Sequence, residues 1–273
     1  MKYVGAKHLI GNYIASFMHN NVEPAIVDGY FEPFCGSLGV FKQMIKYNYK
    51  KYIASDLQPD IILMWKKLQD NRLKLPKTFN EKMYNQLKNS DTPSAMRAVA
   101  GFGMSFGGKF FGGYIQKHAK DSNRDFYKEF KNSLNKIQKI IQKPNIKFYN
   151  KSYDSWNPSN MLIYCDPPYK NTQGYETGVF DHSKFWEVMR EWSKNNYVFI
   201  SEETAPKDFI IVWKKNKHRT LNSDNRSFKI EKLYVYQDGL AFNRLNKYRK
   251  TKKIKKHNFK TKTKKLKNKK IKN

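Results

Sequence analysis

Asp166, Pro167, Pro168 and Tyr169 follow directly on the apolar run Met161–Cys165. A run of that length reads as a buried strand, and a carboxylate at its end sits where open α/β sheets bind ligands. Consecutive prolines hold φ at about −65° and lack N–H groups, so they leave a rigid rim with an outward carbonyl. Carboxylate, carbonyl and ring suit a planar substrate that bears an amino group. The two oxygens accept its two N–H bonds, and Tyr169 stacks on its face. The bland alternative is a structural turn after a strand.

A second constellation lies upstream, in YFEPFCGSLGVF, residues Tyr30–Phe41. Pro33 stops a strand, Gly36 and Gly39 turn the chain tightly, and a helix begins. Such a turn brings backbone N–H groups and a helix N-terminus close to a ligand. Asp56 ends the next apolar segment, YIASDL. A carboxylate there accepts hydrogen bonds from ribose hydroxyls, or else caps the following helix. Glycine turn and acid together point to an adenosine-containing ligand.

The elements that must position these groups alternate. Strands are expected over Ala25–Glu32, Lys51–Ser55, Ile146–Asn150, Met161–Cys165, Tyr197–Ser201, Phe209–Trp213 and Leu233–Gln237. Helices are expected over His8–Met18, Val40–Tyr47, Pro59–Leu68, Phe126–Ile141 and Ser183–Ser193. This alternation implies a mostly parallel sheet covered on both faces. Residues 70–145 break the rhythm with polar helical pieces around GFGMSFGGKFFGG and read as an insertion between residues 1–69 and 146–243. Gly103–Lys109 nearly spells a phosphate-binding loop. Phe110 stands where a magnesium-binding Ser or Thr belongs, and no strand precedes it, so an NTPase is disfavoured. Lys109, Lys117 and His118 in this insertion are candidates to face phosphates or bases.

Composition narrows the partners. Lys and Arg number 53 against 23 Asp and Glu, and a net charge of +30 points to polyanions, nucleic acid first. No apolar run approaches a membrane span, so no membrane partner is expected. No signal peptide is recognisable, so the expectation is a cytoplasmic protein, or one wherever DNA is accessible. Cys35 and Cys165 are too few for a disulfide framework, and neither follows proline as a cytosine-attacking cysteine does; both read as apolar filler. No Cys/His cluster has metal spacing, and no metal is expected.

These pieces, in this order, resemble the Dam-like class of DNA adenine N6-methyltransferases. Lys2–Lys7, KYVGAK, is similar to the family's N-terminal element, and Phe31–Gly39, with Glu32 inside it, to its glycine motif. The ribose acid, a target-recognition insertion and DPPY follow. FYNKSYDSW, with Ser152 and Asp154, resembles the segment beside the cofactor's adenine. Phe180–Trp186 and YVFISEETAP resemble later motifs. Tyr3 stands where the family often has tryptophan, and stacking is retained. The resemblance implies a Rossmann-like methyltransferase sheet with an inserted, mostly helical recognition domain. It implies S-adenosylmethionine as cofactor, held by Tyr3, Lys7, Glu32, Pro33, Phe34, Gly36, Ser37, Gly39, Asp56, Ser152, Asp154 and Asp166. It also implies catalysis at Asp166–Tyr169 on a flipped adenine. The partner is then double-stranded DNA, met by a monomer, with room for a cognate restriction nuclease. An N4-cytosine, RNA or protein amine as target, and a catalytically dead DNA-binding protein, remain open on the residues alone.

The last stretch is different in kind. Residues 244–273 hold sixteen Lys or Arg and no acid, with too little apolar content to bury, and read as a disordered tail. Its removal should weaken DNA binding and lower its salt dependence by several units. Each neutralised phosphate contributes about −0.9 to the slope of log affinity against log salt. A salt series on intact and truncated protein checks this, and identical slopes would make the tail a passenger.

Overall fold

The structure, a computed structural model, describes residues 5–118, 123–168, 180–218 and 228–247. Seven strands form one sheet in the order β3-β2-β1-β4-β5-β7-β6. They are β1 Gly29–Glu32, β2 Tyr52–Asp56, β3 Ile146–Asn150, β4 Met161–Cys165, β5 Tyr197–Ser201, β6 Phe209–His218 and β7 Phe228–Tyr236. The first five in spatial order run parallel, while β7 lies antiparallel to both β5 and β6. The chain steps outward from β1 to β3, then returns to β4 on β1's other side. That reversal opens a crevice at the carboxyl ends of β1 and β4, where doubly wound sheets take ligands.

Strand alternation divides the core between the two sheet faces. Tyr30, Leu162, Tyr164 and Phe199 join one cluster with α1 (Gly11–Asn21), α2 (Phe41–Met44) and α3 (Pro59–Gln69). Phe31, Ile163, Cys165, Val198 and Ile200 join the other, under α7 (His182–Asn195). The central strands β1 and β4 are buried at every position, which explains why they read as unbroken apolar runs. Among the described residues no helix is long and apolar enough to cross a membrane.

Between α3 and β3 lie α4 (Glu81–Lys88), α5 (Ala95–Ala98), a π-turn over Val99–Gly103, and α6 (Phe126–Ile141). A buried charge ties this stretch to the sheet layer. Asp60, in the first turn of α3, accepts from the Ser94 N–H at 2.5 Å and pairs with Arg97 at 3.3 Å. Arg97 also donates to the Leu87 carbonyl at 2.7 Å and lies over the Phe110 and Phe111 rings.

Several sequence expectations are corrected. The strand expected from Ala25 starts only at Gly29, because Pro24 opens a 3₁₀ turn over Pro24–Ile26. Strands β6 and β7 are longer than their apolar parts, since their lysine-rich ends pair with each other from Trp213↔Leu233 to His218↔Phe228. One reading stands: no strand leads into the glycine-rich stretch, which opens in a π-turn over Val99–Gly103. A Cβ on Gly101 would lie 2.4 Å from the Phe110 ring, and one on Gly103 would lie 2.5 Å from the Phe130 ring. Those two glycines make room for aromatic packing, not for a ligand. The chain is helical over 240–247. Leu245 is buried there and Arg244 donates to the Asn21 carbonyl at 2.5 Å. Residues 244–247 therefore belong to the folded body, and a truncation that reports on the tail alone has to begin at 248.

Helix α1 packs closely on the glycine turn at Gly11. A Cβ on Gly11 would lie 2.4 Å from the backbone oxygen of Gly39, an atom that no side-chain rotation moves aside. Gly11→Ala should therefore cost about 1–3 kcal/mol in urea unfolding, as overpacked cores do. An unchanged midpoint would show that the turn can retreat without loss.

Candidate active site at the ends of the central strands

The crevice is built on the turn after β1. The Cys35 N–H donates to the Ser55 carbonyl at 2.9 Å, which ties the turn to β2. The Gly36 N–H donates to Asp56 Oδ2 at 2.8 Å, and the buried Trp65 indole donates to the Gly36 carbonyl at 2.9 Å. Gly36 takes φ of +40°, a left-handed conformation that glycine adopts at little cost. Gly39 carries no Cβ where the N-terminal segment crosses it; one there would lie 3.0 Å from the Lys7 nitrogen. The Lys7 carbonyl in turn accepts from Ile10 and Gly11 at the start of α1.

Around one cavity stand Lys7, Glu32, Pro33, Phe34, Gly36, Ser37, Gly39, Asp56, Ser152, Asp166, Pro167 and Pro168. Residues expected from five separate stretches of sequence thus converge. Asp154 does not line the cavity. Its carboxylate pairs with Lys184 at 2.5 Å and accepts from Ser152 Oγ at 2.5 Å, so it braces the wall that Ser152 presents. The bond from Lys184, then that from Ser152, holds its pKa below the ordinary carboxylate range. Tyr3 and Tyr169 lie outside the described residues. Lys109 is exposed, and Lys117 and His118 fall in the 3₁₀ turn Ile115–His118.

Asp56 is not the helix cap; Gln58 is, accepting from the Asp60 N–H at 3.1 Å. Burial raises the Asp56 carboxyl's pKa, against the backbone N–H bonds from Gln58 and Gly36 that favour its anion. Each oxygen takes one such bond, and a carboxylate has acceptor capacity beyond two. An aromatic wall faces the acid: Phe34 lies 5.3 Å from Tyr153 and 5.9 Å from Phe180, ring centre to ring centre. Tyr153 and Phe180 were not chosen as site residues, although both sit in stretches whose motif character was recognised.

The charged floor is the larger surprise. Lys7 Nζ is 2.7 Å from Asp166 Oδ1 and 3.4 Å from Glu231 Oε1, and both the lysine and Glu231 are buried. Burial works to lower the Lys7 pKa, but the charges of Asp166 and Glu231 outweigh it, and the net shift is upward. Glu32, fully buried, accepts from the Tyr30 hydroxyl, and burial raises its carboxyl well above the ordinary range. Glu202 follows the last residue of β5; burial raises its pKa to about 7, and Oε2 has no hydrogen-bond partner. Glu202 and Glu231 were both missed as site residues. Glu202 lies inside YVFISEETAP, so motif reading could have found it. Glu231 leaves only a faint signal, an acid within an otherwise apolar strand. The two cysteines stay thiols, since burial pushes both pKa values well up.

Residues 3–99 match the family described as D12 class N6 adenine-specific DNA methyltransferase, a match that spans β1, the glycine turn, β2 and α3. The Type II methyltransferase M.MjaIII of Methanocaldococcus jannaschii is 24% identical over 200 residues, covering 62% of this chain and 68% of its own length. Among solved structures, an Escherichia coli protein described as a methyltransferase covers 82% of this chain and 84% of its own at 10% identity, with a TM-score of 0.34. A Haemophilus influenzae protein described as a methylase covers 82% and 96% at 13% identity, with a TM-score of 0.33.

Glu202 makes the site sensitive to pH. The folded chain keeps its proton up to about 7, whereas an ordinary carboxyl releases it near 4.5. The stability tied to that proton is whole below 4.5 and lost as pH rises through about 7. Glu202→Gln should therefore resist urea better than the parent at pH ~8.5, by about 1–2 kcal/mol after allowance for solvent screening, and by clearly less at pH ~5. Equal differences at both pH values would reject this account of Glu202.

Proposed function

We propose that this chain, for which the family match and the archaeal relative support a place among the Dam-like adenine methyltransferases, methylates DNA at the N6 amine of adenine with S-adenosylmethionine. One observation carries the reading. The Asp166-Pro167-Pro168 rim and the glycine turn open on the same cavity, with Asp166 fixed by a buried ammonium.

The residues present fit that cofactor. Lys7, Glu32 and Asp166 line the cavity, and behind Lys7 stands a second carboxylate, Glu231, so that two acids answer the one buried ammonium, a setting suited to a positively charged ligand. Asp56 would accept from the ribose hydroxyls, the turn at Gly36–Gly39 would admit the ligand close to the backbone, and Phe34 and Tyr153 would flank the adenine. When bound, the cofactor supplies a methyl group on a cationic sulfur, which leaves as a neutral thioether.

The chain's own part is to prepare the amine. The adenine N6 lone pair is delocalised into the ring and is a weak nucleophile. Asp166 and the Pro167 carbonyl accept hydrogen bonds from its two N–H groups, which favours a pyramidal nitrogen and turns the lone pair outward; once the nitrogen bonds the methyl, one of those protons would leave it by way of the Asp166 carboxylate to water. Pro167 and Pro168 keep that carbonyl fixed, because neither can re-form its backbone around a missing N–H. Lys7 holds the Asp166 carboxylate in one rotation. The gain is positioning and electrostatics, with no covalent intermediate on the chain. A base inside a duplex has to be flipped out at a cost of a few kcal/mol, and stacking on Tyr169 would return about 1–3 of that.

The test is transfer of labelled methyl from S-adenosylmethionine to duplex DNA, followed by nucleoside analysis. N6-methyladenine is expected; label in cytosine, RNA or protein would overturn the assignment. Asp166→Ala should lose far more than about tenfold in rate and stay folded. Asp56→Ala should weaken cofactor binding by about 1.5–3 kcal/mol, the range for hydrogen bonds to a charged group. An unchanged dissociation constant by calorimetry would reject the ribose role.

A further inference from the structure

Glu231 reaches the site by strand register alone. β7 runs antiparallel to β5, with Ser201 opposite Leu233 and Ile200 opposite Tyr234. Side chains alternate, so Ser201, Leu233 and, two residues earlier, Glu231 share one sheet face. Tyr164 shares it too, since its hydroxyl meets Ser201 Oγ at 2.8 Å. In β4, Asp166 follows Tyr164 by two and falls on that same face. Moving backward along β7 is moving forward along β5, so Glu231 stands just past the carboxyl end of β5, beside the end of β4. Lys7 arrives over this corner from the N-terminal segment. Its ammonium lies between the two carboxylates, 2.7 Å from Asp166 and 3.4 Å from Glu231.

A buried ammonium with one carboxylate follows that carboxylate wherever it turns. With a second anion fixed on a strand, it has a preferred position. We propose that Glu231 is a positioning residue for methyl transfer, acting through Lys7 to hold the Asp166 carboxylate in the rotation that receives the target amine. This rests on the reading of Asp166 as the group that accepts from the amine. Glu231 itself touches neither substrate nor cofactor in this role. Asp166, Glu231 and Glu32 all act on the Tyr164 hydroxyl, and Glu202 is within electrostatic reach of Asp166 and Lys7.

The experiment uses the full chain and four proteins: parent, Glu231→Gln, Lys7→Met, and the double variant. kcat is measured with duplex DNA at saturating S-adenosylmethionine, and cofactor dissociation by calorimetry. Glu231→Gln is expected to lower kcat by about tenfold or more while cofactor affinity stays within about threefold. In the Lys7→Met background the same change should alter kcat less than about twofold, because the residue through which Glu231 acts is gone. A Glu231→Gln kcat within about threefold of the parent, or an equal loss in both backgrounds, would overturn the proposal. If Glu231→Gln alone fails to fold, the double variant, which removes both charges, carries the comparison with Lys7→Met. An inactive parent would defeat the functional reading itself and the role with it. An active parent with an indifferent Glu231 would defeat only this assignment.

Discussion

A lysine ammonium taken out of water costs several kcal/mol unless charge returns it, and Lys7 is buried. Its partners come from two places far along the chain: Asp166 at the end of β4, and Glu231 on the antiparallel edge. The backbone of the same residue caps the start of α1 and lies across Gly39. One residue thus joins the N-terminal segment, the glycine turn, the end of β4 and the far strand. Were the ammonium displaced, Asp166 would lose its orientation and the turn its cover.

The charge of the chain has two scales. Overall it is +30, yet beside the cavity one buried ammonium, Lys7, meets two carboxylates, Asp166 and Glu231. A uniform positive field would oppose a cationic cofactor while favouring a polyanion. The fold separates these demands by depth. Lys214 and Lys215 stand on the edge strand β6, while Glu32, Asp166 and Glu231 are set inside, where screening by salt is weak. On the proposed function, the outer field gathers DNA and the inner one accepts the sulfonium.

Local chemistry was legible in the sequence because each piece is contiguous. The DPPY rim, the glycine turn and Asp56 each announce themselves by a few adjacent residue types after an apolar run, and the chain delivers them to one crevice by sheet order. The parallel sheet followed from alternation, with the antiparallel edge left unspecified. What was not legible depends on register across strands. Glu231 is one acid in FKIEKLYVY, and nothing in its neighbours says that it ends up beside Lys7. The packing of the glycine-rich stretch was not legible for a related reason. Its glycines are small because distant Phe130 and nearby Phe110 need the space, and that partnership appears only on packing. The helix over 240–247 straddles the point where the basic tail was taken to begin; Ala241 and Leu245 are buried in it, and Arg244 reaches both the Asn21 carbonyl and Glu23.

Glu202 shows what the arrangement tolerates. A buried carboxyl oxygen without a partner is a rarity that native structures keep mainly at working sites. Replacing Glu202 by an apolar residue of similar size would ease the packing, yet the fold holds a carboxyl here whose proton is balanced near neutral pH. Beside it, Asp166 is committed to Lys7, and Glu32 is committed to Tyr30. Burial raises the Glu202 pKa to about 7, and on the proposed function a site that admits a cation and releases a neutral product would gain from a nearby carboxyl able to change charge near neutral pH.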